Sequence, residues 1–285
     1  MDIIKRSTVK LTMYVILLIV ALLVLLPFLW MIGNSFKSAA ELNMTTGLSI
    51  RIIIPENPVL DNFRDIFSND RASLNLFRII GNTVWTGIAS VTLNFLINTL
   101  AAYSFARINF RGRNILFFIV MVLLIFPYDL LILPQYILIR DMGLLNTLTA
   151  IYLPSIANPF MIFFLRQFFM EVPKELEEAA VIDGCGRVGI FARIMLPLVK
   201  APLFTILIMV FLGQWNNFMW PTTITTDMNN FVLQMAIQSL AVGTYYVDSR
   251  LVYAGATITV LPIILLFVLI QKYYVQSLVT SGIKG

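Results

Sequence analysis

Residues 178–202 read EAAVIDGCGRVGIFARIMLPLVKAP, a polar stretch between apolar segments too long for any soluble fold. Just before it, Pro173 suits the first turn of a helix, because its missing N–H would have no partner there. Lys174 to Ile182 predicts a nine-residue helix with Glu175, Glu177 and Glu178 near its positive end. Gly184 and Gly186 stop that helix. A second run, Val188 to Leu196, is expected to end against Pro197 and lead into the next apolar segment. The outcome is two short helices joined by a glycine turn, with Leu176, Ala179 and Ala180 offering a small, shallow face. Small residues permit close approach of another backbone, so this face suits insertion into a cleft of another protein. The competing reading is a helix lying flat on lipid, to which an acidic cluster is a poor match beside an anionic cytoplasmic leaflet.

The flanking segments set the environment. The chain is 59 % apolar and 12 % charged, with mean hydropathy +0.87, whereas soluble proteins carry about 25 % charged and 45–50 % apolar residues. A bilayer core of ~30 Å needs about 20 mainly apolar residues per helical span, each backbone group paired inside its own helix. Six stretches qualify: Leu11 to Gly33, Ile79 to Ala106, Asn114 to Ile139, Leu148 to Phe169, Ala201 to Trp220, and Leu251 to Tyr274. The third contains Pro127 and Pro134 and the fourth Pro154 and Pro159, so kinked, packed helices are expected there. Pro27, Phe28, Leu29 and Trp30 stand where a signal-peptide cleavage site would fall, so the first span reads as retained. The fold class that follows is an all-α polytopic membrane protein with six transmembrane helices.

Orientation comes from the basic residues. With the N-terminus inside, thirteen of the 20 Lys and Arg fall in inner segments, among them Arg107, Arg111, Arg113, Arg187 and Arg193. Short inner loops are basic, as the positive-inside rule expects, and both termini come out cytoplasmic. The net charge of +5 is then a topology signal, and no basic soluble domain supports a nucleic-acid partner. With no His and one Cys there is no zinc, haem or disulfide framework and no Cys–His nucleophile, so no metal and no catalytic residue is expected. No G-x-x-x-x-G-K-[ST] run occurs either. The chain is expected to bind no cofactor, leaving ATP and Mg to a partner.

Between the first two spans, Pro55, Asn57 and Pro58 mark a turn, and Asp61 to Phe67 predicts a short helix with Phe63, Ile66 and Phe67 on one face. Asp129 is the one acidic residue well inside a predicted span, ~24 Å along the helix from Arg113. It either lines a solute path or lies solvated at the outer helix end beside Tyr128. Asn94, Asn98, Gln214, Asn216 and Asn217 could offer amides to hydroxyl groups, although such residues commonly join helices. Cys185 reads as a small packed side chain, since no second Cys or activating base accompanies it.

The spacing Glu178-Ala179-Ala180, three residues, Gly184, nine residues, Ile194, one residue, Leu196-Pro197 resembles the EAA loop of inner-membrane permeases of ABC importers. Other stretches resemble the carbohydrate-importer permeases related to the second subunit of the maltose transporter. They are SFKSAAEL (35–42), AAYSFARINFRGR (101–113), FFLRQFFMEVPKELEEAAVIDG (163–184), WNNFMWP (215–221) and SGIKG (281–285). The resemblance implies a type I ABC importer permease fold in a prokaryotic cytoplasmic membrane. It implies a second homologous permease, a dimer of ATPase subunits and an extracellular or periplasmic sugar-binding protein as partners, with membrane lipid around them. Glu178, Ala179, Ala180, Asp183, Gly184, Ile194, Leu196 and Pro197 would form the ATPase-coupling loop, and Gly282, Ile283, Lys284 and Gly285 a tail reaching between the ATPases. Ser277 and Val279 depart from the pattern of that tail.

On this reading residues 1–33 hold the N-terminus and first span, 34–77 an extracytoplasmic loop, 78–273 the transporter core with its loop at about 170–200, and 274–285 the tail. A cargo such as a polyol phosphate would be expected to meet Lys or Arg inside the spans. A secondary transporter would need inverted repeats or coupled charges at mid-membrane. A structural membrane subunit leaves the match around Glu178 to chance.

Overall fold

The computed structural model describes residues 2–44, 50–68, 75–241 and 248–282, and every regular element among them is helical. The chain opens with α1 (Asp2–Ser35), in which every side chain from Val9 to Trp30 is exposed, as suits a helix apolar on all sides and surrounded by lipid or partner helices. Two short helices follow, α2 (Ala39–Met44) and α3 (Asp61–Phe67), the latter with the predicted bounds. The long helix α4 (Leu76–Arg107) leads to α5 (Arg113–Ile125) and α6 (Ile132–Asp141), then to α7 (Leu148–Tyr152) and α8 (Pro159–Glu171). The quoted loop folds as α9 (Lys174–Ile182), α10 (Arg187–Ile190), a π-helical turn (Phe191–Met195) and α11 (Leu196–Leu198). After it come α12 (Lys200–Trp215), α13 (Met219–Ile224), α14 (Leu233–Ala241) and α15 (Ser249–Gly282).

Three helices, within α1, α4 and α15, are long and apolar enough to cross a membrane unbroken, and three bent pairs bring the number to six if each pair is one span. The bends follow the prolines. In the first pair, α5 ends before Pro127, and the chain turns by 104° through a 3-10 turn at Tyr128–Leu131 before α6. Pro134 causes no break, because it falls in the first turn of α6, where its absent N–H is not needed. Pro154 lies in a 3-10 turn and Pro159 opens α8, giving a 47° bend. The fifth segment ends at Trp215 and not at Trp220: Asn216 and Asn217 interrupt the helix, and α13 begins at Met219.

The chain forms two compact units, one of residues 1–76 with 236–262 and one of residues 77–235 with 263–285. In the first, the backbone of 36–44 and 50–63 closes on the end of α1. Asn62 is fully buried and its Nδ2 donates to the carbonyls of Ser35 and Lys37, both at 2.8 Å. Of the apolar face predicted for α3, Ile66 is buried and Phe63 meets Phe36 at a ring distance of 5.2 Å. Gly33 lies against the Ile53 carbonyl, and an added Cβ would stand 1.7 Å from that oxygen. Lys37 is fully covered, with Nζ donating to the Ile52 carbonyl at 2.8 Å, and burial holds its ammonium below the usual 10.5, partly offset by Glu41. Trp30 of α1 packs edge-on against Tyr253 of α15 at 5.2 Å.

Among the described residues of the second unit, apolar clusters mark opposite ends of the helices. One gathers Ile139, Ile151, Trp220, Ile224, Val232 and Met235, and Trp220 Nε1 donates to the Ala150 carbonyl at 2.9 Å. Beside it Asn146, at φ 59°, accepts from the N–H of Thr226 (2.6 Å) and of Asp227 (3.2 Å), and Asn82 Nδ2 donates to the carbonyls of Asn229 and Phe231. The other cluster lies under the quoted loop.

Candidate docking site

The hairpin α9–α10 is built by a glycine turn that its sequence dictates. Gly184 adopts φ +80°, its N–H bonds the Val181 carbonyl at 3.0 Å, and the Cys185 N–H bonds the Ala180 carbonyl at 2.8 Å. These are the paired bonds of a Schellman motif, with the left-handed residue just past the helix end. Within this chain nothing beyond the turn itself lies within 4 Å of where a Gly184 Cβ would be, so the left-handed backbone conformation is what favours glycine there. Gly189 is different: a Cβ on it would come 2.7 Å from the Cys185 sulfur, and that close fit shows Cys185 as a packed small side chain.

One side of the hairpin seats on the helices. Ala180, Ile190 and Met195 are buried with Ala102, Tyr103, Met161, Leu165, Phe169, Val199, Leu203 and Ile206, and Ile194 and Leu196 pack on the same cluster. Ala180 thus turns inward, and the exposed face contains Leu176 and Ala179 without it. Removing Ala180 from that face follows from the pull of the apolar cluster beneath. Leu176, Val181, Ile182 and Val188 are exposed, Ile182 at 85 % and Val188 at 82 %. Glu178 and Asp183 are exposed beside them. Large aliphatic side chains standing out from a hairpin that also carries charge make a surface suited to a protein partner.

Arg107, in the last turn of α4, ties this hairpin to the membrane helices. Its Nε donates to the Phe169 carbonyl at 2.9 Å, and its Nη2 reaches the carbonyls of Phe169 and Val172, the unpaired end of α8. Glu177 Oε1 lies 3.0 Å from Arg107 Nε, an ion pair with the two side chains 6 % and 19 % exposed. The Nε–H itself is directed at Phe169, so Glu177 contributes charge more than a directed hydrogen bond. Sequence reasoning used Arg107 only for orientation. The available signal was its place at the end of a predicted span, three residues before a turn, where a cation meets the negative end of the helix.

The second run differs from its expected form. It continues to Leu198 through Pro197, with the Leu196 N–H bonded to the Phe191 carbonyl across a π turn. That wider turn comes directly before the proline, where a regular helix would set the ring against the preceding turn. Pro197 is exposed at an 83° bend leading into α12.

Of the other residues singled out, Asn94 and Asn98 are fully buried and join α4 to the break between α7 and α8. Asn94 Nδ2 donates to the carbonyls of Ser90 and Ser155, and Asn98 Nδ2 to those of Asn94 and Ile156, while Asn98 Oδ1 accepts the Asn158 N–H at 3.0 Å. Tyr128 and Asp129 are exposed in the 3-10 turn of the 104° break. Gln214 is buried at the end of α12, Asn216 caps that helix through the Leu212 carbonyl, and Asn217 follows it. Gly282 is the last residue of α15, and Ile283, Lys284 and Gly285 lie outside the described residues.

Residues 97–280 match a family described as the binding-protein-dependent transport system inner membrane component. The chain belongs to that family. The match spans α4 to α15 and includes the hairpin, so this permease is a multi-pass membrane protein of a transport family. An arabinooligosaccharides transport system permease protein, AraQ, of Halalkalibacterium halodurans is 37 % identical over 266 residues, covering 93 % of each chain. The AraQ protein of Bacillus subtilis is 30 % identical over 98 % of this chain and 97 % of its own. A diacetylchitobiose uptake system permease protein, NgcG, of Streptomyces coelicolor is 30 % identical over 91 % of this permease and 84 % of that protein. In structure, the permease superposes on a chain of a bacterial ABC transporter involved in import of the acidic polysaccharide alginate, with TM-score 0.82, 21 % identity, and 95 % and 98 % of the two chains covered. That likeness establishes an ABC importer permease fold.

Proposed function

We propose that this chain is a transmembrane subunit of an ATP-driven sugar importer, taking oligosaccharides, in a prokaryotic cytoplasmic membrane. It forms half of the translocation path and pairs with a second, homologous permease. The observation that carries this is the hairpin of α9 and α10: fixed by Arg107 and the Gly184 turn on one side, exposed and aliphatic on the other, it is a rigid handle for a partner. The partner is a dimer of ATPase subunits, which binds ATP and Mg while this chain binds neither. An external sugar-binding protein delivers the cargo. The relatives' arabinooligosaccharide and diacetylchitobiose systems support an oligosaccharide as that cargo.

The solute path is assigned to the break between α5 and α6. A helix broken within a span leaves backbone groups that are tolerated where they line a watery cavity, and Tyr128 and Asp129 are exposed there. The test is reconstitution of the permease pair, the ATPases and the binding protein in proteoliposomes. ATP-dependent uptake of a labelled oligosaccharide is expected, with no saturable ATP binding to this chain purified alone. Either uptake without ATPase subunits or nucleotide binding by the isolated chain overturns the proposal.

A further inference from the structure

An open cleft of ≈ 350 Å³ at the foot of α5 is lined by Asn109, Phe110, Gly112, Arg113, Asn114 and Ile115. Arg113 donates from Nη1 to Asn109 Oδ1 at 3.0 Å, its one side-chain hydrogen bond among the described residues. On α8, Arg166 lies with its guanidinium 4.0 Å over the Phe117 ring and donates Nε–H to the Phe105 carbonyl at 3.3 Å, and Phe117 follows Arg113 by four residues, on the same side of α5. Arg111 is exposed two residues before Arg113, just ahead of α5. None of the three is paired with a carboxylate among the described residues, and the sequence contains no Asp or Glu between Asp70 and Asp129. Three uncompensated cations close together repel one another, and an anion between them removes that cost.

Above the cleft α5 packs on α8 through one side only. Phe117, Val120, Met121 and Leu124 are partly covered, whereas Ile115 is 69 % and Phe118 67 % exposed, with Ile119 and Val122 exposed on the same side. Spacings of three and four residues place Ile115, Phe118, Ile119 and Val122 in one stripe. A basic polar cleft therefore continues directly into an apolar stripe that runs along a membrane helix. A phospholipid has this division of chemistry, a phosphate attached to acyl chains. A soluble anion has no use for the stripe, and a protein partner would need acidic side chains at the foot of an apolar helix.

We propose that the foot of α5 is a binding site for an anionic phospholipid, with the phosphate held by Arg111, Arg113 and Arg166 and the acyl chains lying on the stripe. The site goes beyond the transport role proposed above and rests only on the chain being embedded in a membrane.

The test is native mass spectrometry of the full chain, delipidated in detergent and titrated with phosphatidylglycerol or phosphatidylcholine. Wild type is expected to prefer phosphatidylglycerol, and Arg111→Gln with Arg113→Gln to lose about fivefold in affinity per charge removed with phosphatidylcholine unchanged. Arg113→Lys should retain most of the affinity. Phe118→Ser leaves all three arginines in place and should weaken phosphatidylglycerol binding through loss of the acyl seat, which keeps the test open if the double variant fails to fold. Equal phosphatidylglycerol affinity in wild type, the double variant and Phe118→Ser overturns the site. So does displacement of the lipid by inorganic phosphate at matched concentration. A photo-crosslinker at Phe118 that captures a protein subunit of the assembled complex in place of lipid also overturns it.

Discussion

Arg107 and Glu177 meet at 3.0 Å with both side chains largely covered, and the same guanidinium closes the carbonyl end of α8. One side chain at the end of α4 thus fixes both the membrane helix before the docking hairpin and the hairpin itself. Through this point α9 is joined to both α4 and α8.

Arg107→Gln removes the charge and most of the donors from that junction. The expected cost is about 2–3 kcal/mol, the range for hydrogen bonds to a charged group whose partners are left buried. Thermal unfolding should show that loss, and limited proteolysis should open the chain between Val172 and Arg187. Glu177→Gln should be milder, because Phe169 and Val172 keep their donor. Equal effects of the two substitutions would contradict the division of labour seen in the structure.

Gly184 is constrained by its φ of +80° and by no neighbour. Placing an ordinary L-residue in the left-handed region costs roughly 1–2 kcal/mol, with Asn the least penalised and a β-branched residue the most. Substrate-stimulated ATPase activity of the assembled complex should therefore fall in the order Asn, Ala, Val at this position. An order set by side-chain volume without advantage for Asn would point to a steric cause.

Asp129→Ala addresses the solute path. If the carboxylate accepts hydrogen bonds from sugar hydroxyls, its removal costs on the order of 1.5–3 kcal/mol, or roughly tenfold to a hundredfold in uptake if it acts at the limiting step. Assembly and basal ATP hydrolysis should not change. Unaltered uptake in proteoliposomes would leave Asp129 as a solvated helix-end residue.

Gly33→Ala should disrupt the segment folded over the end of α1, since its methyl would stand 1.7 Å from the Ile53 carbonyl oxygen, a backbone atom with no rotamer to change. Gly81→Ala in α4 meets nothing within 4 Å and should be neutral or stabilising by up to about 1 kcal/mol. Paired thermal melts of the two variants check this.

Lys37 gives a pH dependence with a defined sign. Desolvation lowers its folded pKa beneath the unfolded 10.5, and Glu41 opposes that only in part. Between the two values the unfolded chain binds more protons, so stability should rise with pH across that alkaline window. Below the folded value Lys37 is charged in both states and the full penalty is present. In Lys37→Met the contribution should vanish, which a series of melts from neutral pH to the unfolded value would reveal.

The helices of the docking hairpin were legible because punctuation surrounds them: Pro173 before α9, and Gly184 and Gly186 after it. The bounds of the second span, the start of the sixth and the breaks at Pro127, Pro154 and Pro159 were equally readable, whereas Pro134 makes no break and α15 runs to Gly282, beyond the expected Tyr274. What hydropathy could not give was the end of α12. Trp215 and Trp220 both look apolar, and only the pair of amides between them interrupts the helix. Asn62 was passed over for a similar reason. Its role depends on two carbonyls more than twenty residues away in sequence, which no local pattern records. The inward turn of Ala180 depends likewise on the cluster beneath it, and the reach of Arg107 on the ends of two other helices.

The π turn at Phe191–Met195 has an evolutionary reading. A π turn contains one residue more than the α turn it replaces, yet it completes the same single revolution. Each residue of a regular α-helix advances the chain by about 100°, so a residue added without widening the turn would rotate Leu196, Pro197 and Leu198 by that angle relative to the hairpin. Loss of a single position between Phe191 and Met195 would restore the α turn and leave their direction nearly unchanged, while setting the Pro197 ring against a regular preceding turn. Point substitution can vary the surface offered to a partner one side chain at a time. The wide turn lets this segment hold one residue more without re-aiming the hairpin, so its length should be held by the fit of Pro197 and not by the direction of the helix.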